Sequence, residues 1–138
     1  MRVYVDTSAL IKRVIVERES TDLEDALEEY ADRHVLLASS TLAWVEVGRA
    51  VRSRYDASYG DVADEVSAAL AGIAEHRMDR EVISLSRRLP PNALRSLDAI
   101  HLASAVLLDV EVMVTYDRRL AEAAALAGIR CTAPGDGE

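Results

Sequence analysis

Arg2-Val3-Tyr4-Val5-Asp6-Thr7-Ser8-Ala9-Leu10-Ile11-Lys12 is the stretch whose reading decides the fold. The first four residues favour a short strand, which Asp6-Thr7-Ser8 stop, and Ala9 to Val16 reads as helical. An acid directly after a strand and before a helix sits at the carboxyl edge of a parallel sheet, where ligands bind. The alternative is that Asp6 only caps the helix. Thr7 or Ser8 offers the same capping chemistry, which would free Asp6 for other work.

The pattern recurs near the other end of the chain. Val110 to Thr115 reads as a strand, and Asp117 opens a helix that runs to about Ala127, closed by Gly128. Val35 to Ala38 and Ile129 to Thr132 are further strand candidates. Between them lie helical patterns: one capped by Ser20-Thr21 with Leu23, Ala26, Leu27 and Tyr30 on one face, and one after Ser39-Ser40-Thr41. Others cover residues 61 to 74, with Val62, Val66, Ala69, Leu70 and Ile73 inward, Arg80 to Leu89, and about Ser96 to Leu107. Strands alternating with helices imply an α/β fold with a mostly parallel central sheet of about four or five strands flanked by helices. Residues 1–138 read as a single domain, with 134–138 a frayed tail.

With 138 residues the chain is long enough to bury a core unaided. It carries no apolar run of the length a bilayer span needs, and an acid interrupts its start too early for a secretory signal. A cytoplasmic protein without a membrane is the expectation. The lone Cys131 excludes an internal disulfide and a cysteine-based zinc site, and packing is its expected role. Sixteen basic and 24 acidic residues give a net charge of −8, which argues against indiscriminate nucleic-acid binding. Local placement still decides that question, because an acidic metal pocket with a basic rim is compatible with an acidic total. Glu17, Glu19, Glu24, Asp25, Glu28 and Glu29 read as a solvated helix face.

Two more acids join Asp6 and Asp117. Asp98 lies in the first turn of an apolar helix, where it either complements the helix dipole or serves a site. Glu46 sits mid-helix between Val45 and Val47, and an unpaired carboxylate there is costly. It needs a partner: a metal ion, or Arg49 one turn on. Carboxylates from separate elements, without a His/Cys set, select Mg²⁺ or Mn²⁺ over zinc and suit phosphoryl chemistry. His101, three residues after Asp98 on the same helical face, reads mainly as a packing or hydrogen-bonding residue, and His34 and His76 have no visible partners. Trp44 reads as core, while Tyr116 is a candidate for stacking on a base.

Asp6-Thr7-Ser8, Trp44-Val45-Glu46-Val47-Gly48-Arg49-Ala50, Ser96-Leu97-Asp98-Ala99-Ile100-His101-Leu102-Ala103 and Val114-Thr115-Tyr116-Asp117-Arg118-Arg119 occur in the order of the acidic motifs of PIN-domain toxins. The chain resembles that family, and within it the VapC-like toxins of type II toxin–antitoxin systems. The resemblance implies a Mg²⁺- or Mn²⁺-dependent endoribonuclease with Asp6, Glu46, Asp98 and Asp117 as catalytic and metal-binding residues. Asp6 and Asp98 would be the principal ligands, with Thr115, Thr7 and Ser8 orienting carboxylates or water. It also implies an RNA substrate, a cognate antitoxin and a homodimer. Arg49, Arg118, Lys12 and Arg13 are candidates for an RNA-binding rim.

Other classes are less compatible. A haloacid-dehalogenase-like phosphatase would want a second Asp where Ser8 stands. A response-regulator receiver would want a late lysine, and Lys12 is the sole lysine. A phosphate-cradling glycine loop is missing. A non-catalytic PIN-like module binding RNA or protein, and a metal-dependent DNA nuclease, stay open.

Overall fold

The computed structural model describes residues 1–137. β1 (Arg2–Val5), β2 (Leu36–Ser40), β3 (Ala74–His76), β4 (Val112–Val114) and β5 (Arg130–Thr132) form one sheet in the order β3-β2-β1-β4-β5. Every pairing is parallel. Among the described residues, seven helices connect and flank the strands: α1 (Thr7–Lys12), α2 (Ser20–Asp32), α3 (Thr41–Tyr55), α4 (Tyr59–Leu70), α5 (Arg80–Ser86), α6 (Ser96–Leu107) and α7 (Arg118–Leu126).

Strand periodicity divides the core. Val3 and Val5 point to one face of β1 and join Leu10, Leu23, Val47, Val51 and Val66 beneath α1 to α4. Tyr4 points to the other and packs with Leu102, Met113 and Leu120 beneath α6 and α7. A central parallel strand covered on both faces explains the uninterrupted apolar run Val3-Tyr4-Val5. The chain lays β2 and β3 on one side of β1 and then β4 and β5 on the other. The carboxyl ends of β1 and β4 therefore flank a topological switch point, where such sheets form their clefts.

Several expectations shift. Residues 61–74 do not form one helix: α4 ends at Leu70, Gly72 takes φ +77°, and Ala74–His76 is an edge strand. That strand lacks the apolar, β-branched signature of an interior one, so its pattern gives no warning. The helix expected over Ala9 to Val16 begins earlier and ends at Lys12. Ser20 is not a cap: its hydroxyl donates to the Lys12 carbonyl at 2.8 Å and accepts the Glu17 N–H at 2.9 Å. Contacts reach the C-terminal segment as far as Asp136. Tyr116 Oη donates to Pro134 O at 2.7 Å, and Asp136 lies 3.8 Å from Arg18. Glu138 lies outside the described residues. No described helix is long and apolar enough to cross a membrane.

Candidate active site

Asp6 joins strand to helix. Its N–H donates to Val114 O, extending the ladder, while its carbonyl accepts from Ala9 and Leu10 to open α1. Oδ2 accepts from Ser8 Oγ at 2.8 Å, from Thr115 Oγ1 at 2.9 Å, and more distantly from the Ser8 N–H at 3.4 Å. Oδ1 makes no hydrogen bond among the described residues and lies 3.7 Å from His101 Nε2. Capping and site readings thus fall on different oxygens of one carboxylate. Ser8 does not cap in its place, because its hydroxyl accepts the Tyr116 N–H at 2.9 Å while donating to Asp6.

Glu46, on α3, is not paired with Arg49, the side chain expected one turn on, which is exposed. Thr7 Oγ1 donates to Glu46 Oε1 at 2.8 Å, and His101 Nε2 lies 2.6 Å from the same oxygen. Burial opposes ionisation of Glu46, but the His101 hydrogen bond and charge, with the Thr7 hydroxyl, outweigh it. The carboxyl is held below its ordinary range. His101 packs and hydrogen-bonds within the fold, as expected: it is 1% exposed, and its Nδ1 is 2.6 Å from Tyr4 Oη. Burial alone would push its pKa down. The hydrogen bond to Glu46 and the charges of Asp6, Glu46 and Asp98 reverse that and raise it. The one sequence signal of its link to the acids was the three-residue spacing from Asp98 on one helical face.

Asp98 and Asp117 line an open cleft of about 260 Å³ together with Arg95, Arg118 and Arg119. Asp117 caps α7, its Oδ1 accepting from the Arg119 and Leu120 N–H groups at 3.0 and 3.3 Å. Burial raises the Asp98 pKa, and the negative charges of Asp117, Asp6 and Glu46 raise it further against an opposing contribution from His101. All the sequence-predicted acids therefore act on one locality, at the ends of β1 and β4 and on α3 and α6. Thr115 ties two of them together, since its hydroxyl also accepts the Asp117 N–H at 3.1 Å.

The donor chemistry fits a hard divalent cation. Asp6, Asp98 and Asp117 have no lysine or arginine within ion-pair distance among the described residues, and the cationic side chain nearest Asp6 Oδ1 is His101 at 3.7 Å. No three His, Cys, Asp or Glu side chains among the described residues close on a common point as a ready-made cage.

Two members of the expected basic rim are engaged elsewhere. Lys12 is largely buried, 3.1 Å from Glu19 and 3.4 Å from Glu17, with its ammonium over the Tyr116 ring at 4.8 Å. Arg13 Nη1 donates to the carbonyls of Ala69 and Ala71, each at 2.9 Å, satisfying the end of α4. One face of Tyr116 is thus covered by Lys12, which works against base stacking there. Trp44 packs against the core as expected. Arg118 stays at the cleft, and Arg95 and Arg119 join it.

The PIN domain family model matches residues 3–126. Two curated relatives from Mycobacterium tuberculosis align over nearly the whole chain. Ribonuclease VapC35 is 36% identical over 137 residues, covering 96% of this chain and 97% of the relative. Ribonuclease VapC46 is 38% identical over 135 residues with the same coverage. Among solved structures, VapBC2 from Rickettsia felis bound to a promoter DNA fragment superposes with a TM-score of 0.75 at 11% identity, covering 96% of this chain and 98% of that one. With a parallel sheet, acids gathered at its switch point and relatives this similar in sequence, the chain belongs to the PIN domain family.

Proposed function

We propose that the protein is a Mg²⁺-dependent endoribonuclease, able to use Mn²⁺, that serves as the toxin of a toxin–antitoxin pair in the cytoplasm. The observation that carries the metal-dependent chemistry is the gathering of carboxylates from separate elements at the ends of β1 and β4, where Thr115 holds Asp6 Oδ2 and the Asp117 N–H and leaves Asp6 Oδ1 without a hydrogen bond among the described residues. Relatives named as ribonucleases at 36–38% identity support RNA as substrate. A cognate antitoxin and a homodimeric state belong to the same reading.

Asp6 and Asp98 would hold the cation, Glu46 would bind it directly or through water, and Asp117 would complete the pocket. When bound, the cation activates water and offsets charge on the phosphoryl group. Thr115 and Ser8 fix the Asp6 carboxylate by holding Oδ2, which leaves Oδ1 for the site. Arg118, Arg119 and Arg95 bind flanking phosphates and orient the strand, as arginine forks suit.

The test is cleavage of a whole-cell RNA pool and of single-stranded DNA by antitoxin-free protein, with Mg²⁺ or Mn²⁺, with EDTA, and with Asp6→Asn. RNA cleavage that needs both the metal and Asp6 is expected. Cleavage of DNA alone would reassign the substrate. No cleavage by folded, metal-loaded protein would make the chain a non-cutting module.

A further inference from the structure

His101 contributes to this site without being one of its acids. Its Nδ1 lies 2.6 Å from Tyr4 Oη, which itself accepts the Ser40 N–H at 3.0 Å. Its Nε2 lies 2.6 Å from Glu46 Oε1, where the Thr7 hydroxyl also donates. An ionised carboxylate only accepts, so Nε2 carries the proton of that bond. With His101 neutral the Tyr4 hydroxyl donates to Nδ1, with His101 protonated Nδ1 donates to Tyr4 Oη, and in both cases Nε2 donates to Glu46. The chain of bonds links β1, β2, α6 and α3 through the buried Tyr4, Ser40 and His101 to the partly buried Glu46.

We propose that His101 is a positioning residue for Glu46: anchored by Tyr4, it pins Oε1 and leaves Oε2 as the oxygen available to a divalent cation. Glu46 Oε2 has no hydrogen-bond partner among the described residues, whereas Oε1 has two. A glutamate on three rotatable bonds otherwise loses considerable side-chain entropy when it is ordered at a ligand. Pinning one oxygen during folding removes part of that cost before the cation arrives. His101 also stands one turn from Asp98 on α6, so the same helix carries one acid and sets the position of another. The inference rests on the reading of Glu46 as a metal-facing acid.

The test compares His101→Gln with His101→Asn in the full chain. The Gln amide nitrogen reaches about where Nε2 stands, whereas the Asn amide reaches only about as far as Nδ1. Mn²⁺ affinity is measured by calorimetry, and RNA cleavage as separate kcat and KM. His101→Gln keeps the Glu46 contact without the Tyr4 anchor and should lose about threefold in Mn²⁺ affinity. His101→Asn should lose about 10–100-fold, the usual effect of removing a ligand's orienting partner. The loss should appear in kcat with KM little changed. In a Glu46→Gln background the two variants should become equal.

Equal losses in both variants, tracking their melting temperatures, would overturn the positioning role, as would a difference that persists without the Glu46 carboxylate. If neither His101 variant folds, Tyr4→Phe decides. It removes the anchor on Nδ1 while nearly conserving volume, and unchanged Mn²⁺ affinity there would refute the proposal. A wild type that binds Mn²⁺ yet leaves RNA intact would sink the nuclease reading alone, because the affinity comparison would still read His101. A wild type that binds no Mn²⁺ would overturn both.

Discussion

Thr115 Oγ1 donates to Asp6 Oδ2 across 2.9 Å, joining residues 109 positions apart at the ends of the neighbouring strands β4 and β1. The same oxygen accepts the Asp117 N–H at 3.1 Å, so one buried hydroxyl sets the position of two acids. Thr115→Val keeps the shape and deletes this link. It should lower the RNA cleavage rate about 10–100-fold, while Thr115→Ser should retain most of it. Equal rates in the two variants, at matched folded fraction, would remove Thr115 from the site.

Stability without metal should depend on pH in a way that follows from the shifts around His101. A histidine whose folded pKa is raised contributes stability that is fully present below its unfolded value of about 6.5. That stability is lost as pH climbs through the folded value. Glu46 has the opposite sign: its folded pKa is lowered, so its contribution is present above the ordinary glutamate range and lost as pH falls through the folded value. Asp98, whose folded pKa is raised, binds its proton more readily when folded, so like His101 it costs stability as pH rises through its folded value. Melting temperature in EDTA should therefore fall as pH rises from about 6.5 through the raised His101 value, and level off above it. His101→Gln should flatten that limb; an unchanged slope would contradict the assignment.

Arginines at the cleft and cations inside the fold should separate in salt titrations. Arg118→Ala and Arg119→Ala should weaken binding to a noncleavable single-stranded RNA and reduce the dependence of log K on log salt. The expected reduction is about 0.7 for each phosphate that is no longer neutralised. Arg13→Ala should leave that slope unchanged and instead destabilise the fold by about 2 kcal/mol, since it deletes charged donors to two helix-end carbonyls. A slope that responds to Arg13 and not to Arg118 would reverse the assignment of the rim.

The C-terminal segment should prove to be attached. Tyr116→Phe deletes the hydroxyl that donates to Pro134 O, and a loss of about 1 kcal/mol is expected in denaturant unfolding. Faster amide exchange at Asp136, whose N–H bonds to Ala133 O, should accompany it. Unchanged exchange would mean that the tail does not depend on that bond.

The acids and their order were legible in the sequence because their local context is distinctive: Asp6 and Asp117 each close an apolar strand and open a helix, and Glu46 and Asp98 sit in apolar helices. The parallel sheet was legible for the same reason, since Val3-Tyr4-Val5 carries the continuous apolarity of a strand covered on both faces. The α6 bounds matched as well, with a helix from Ser96 to Leu107. The edge strand Ala74–His76 was not legible, because exposed edge pairing needs no apolar pattern. Only the tertiary structure decided which of Lys12, Arg13 and Arg118 face a cleft, since a charge in sequence carries no direction. It alone also decided that His101, and not Arg49, meets Glu46. The physical reason is distance along the chain: capping and periodicity act within a turn or two of helix, whereas the Thr115–Asp6 and His101–Glu46 bonds exist only after the sheet has brought remote segments together.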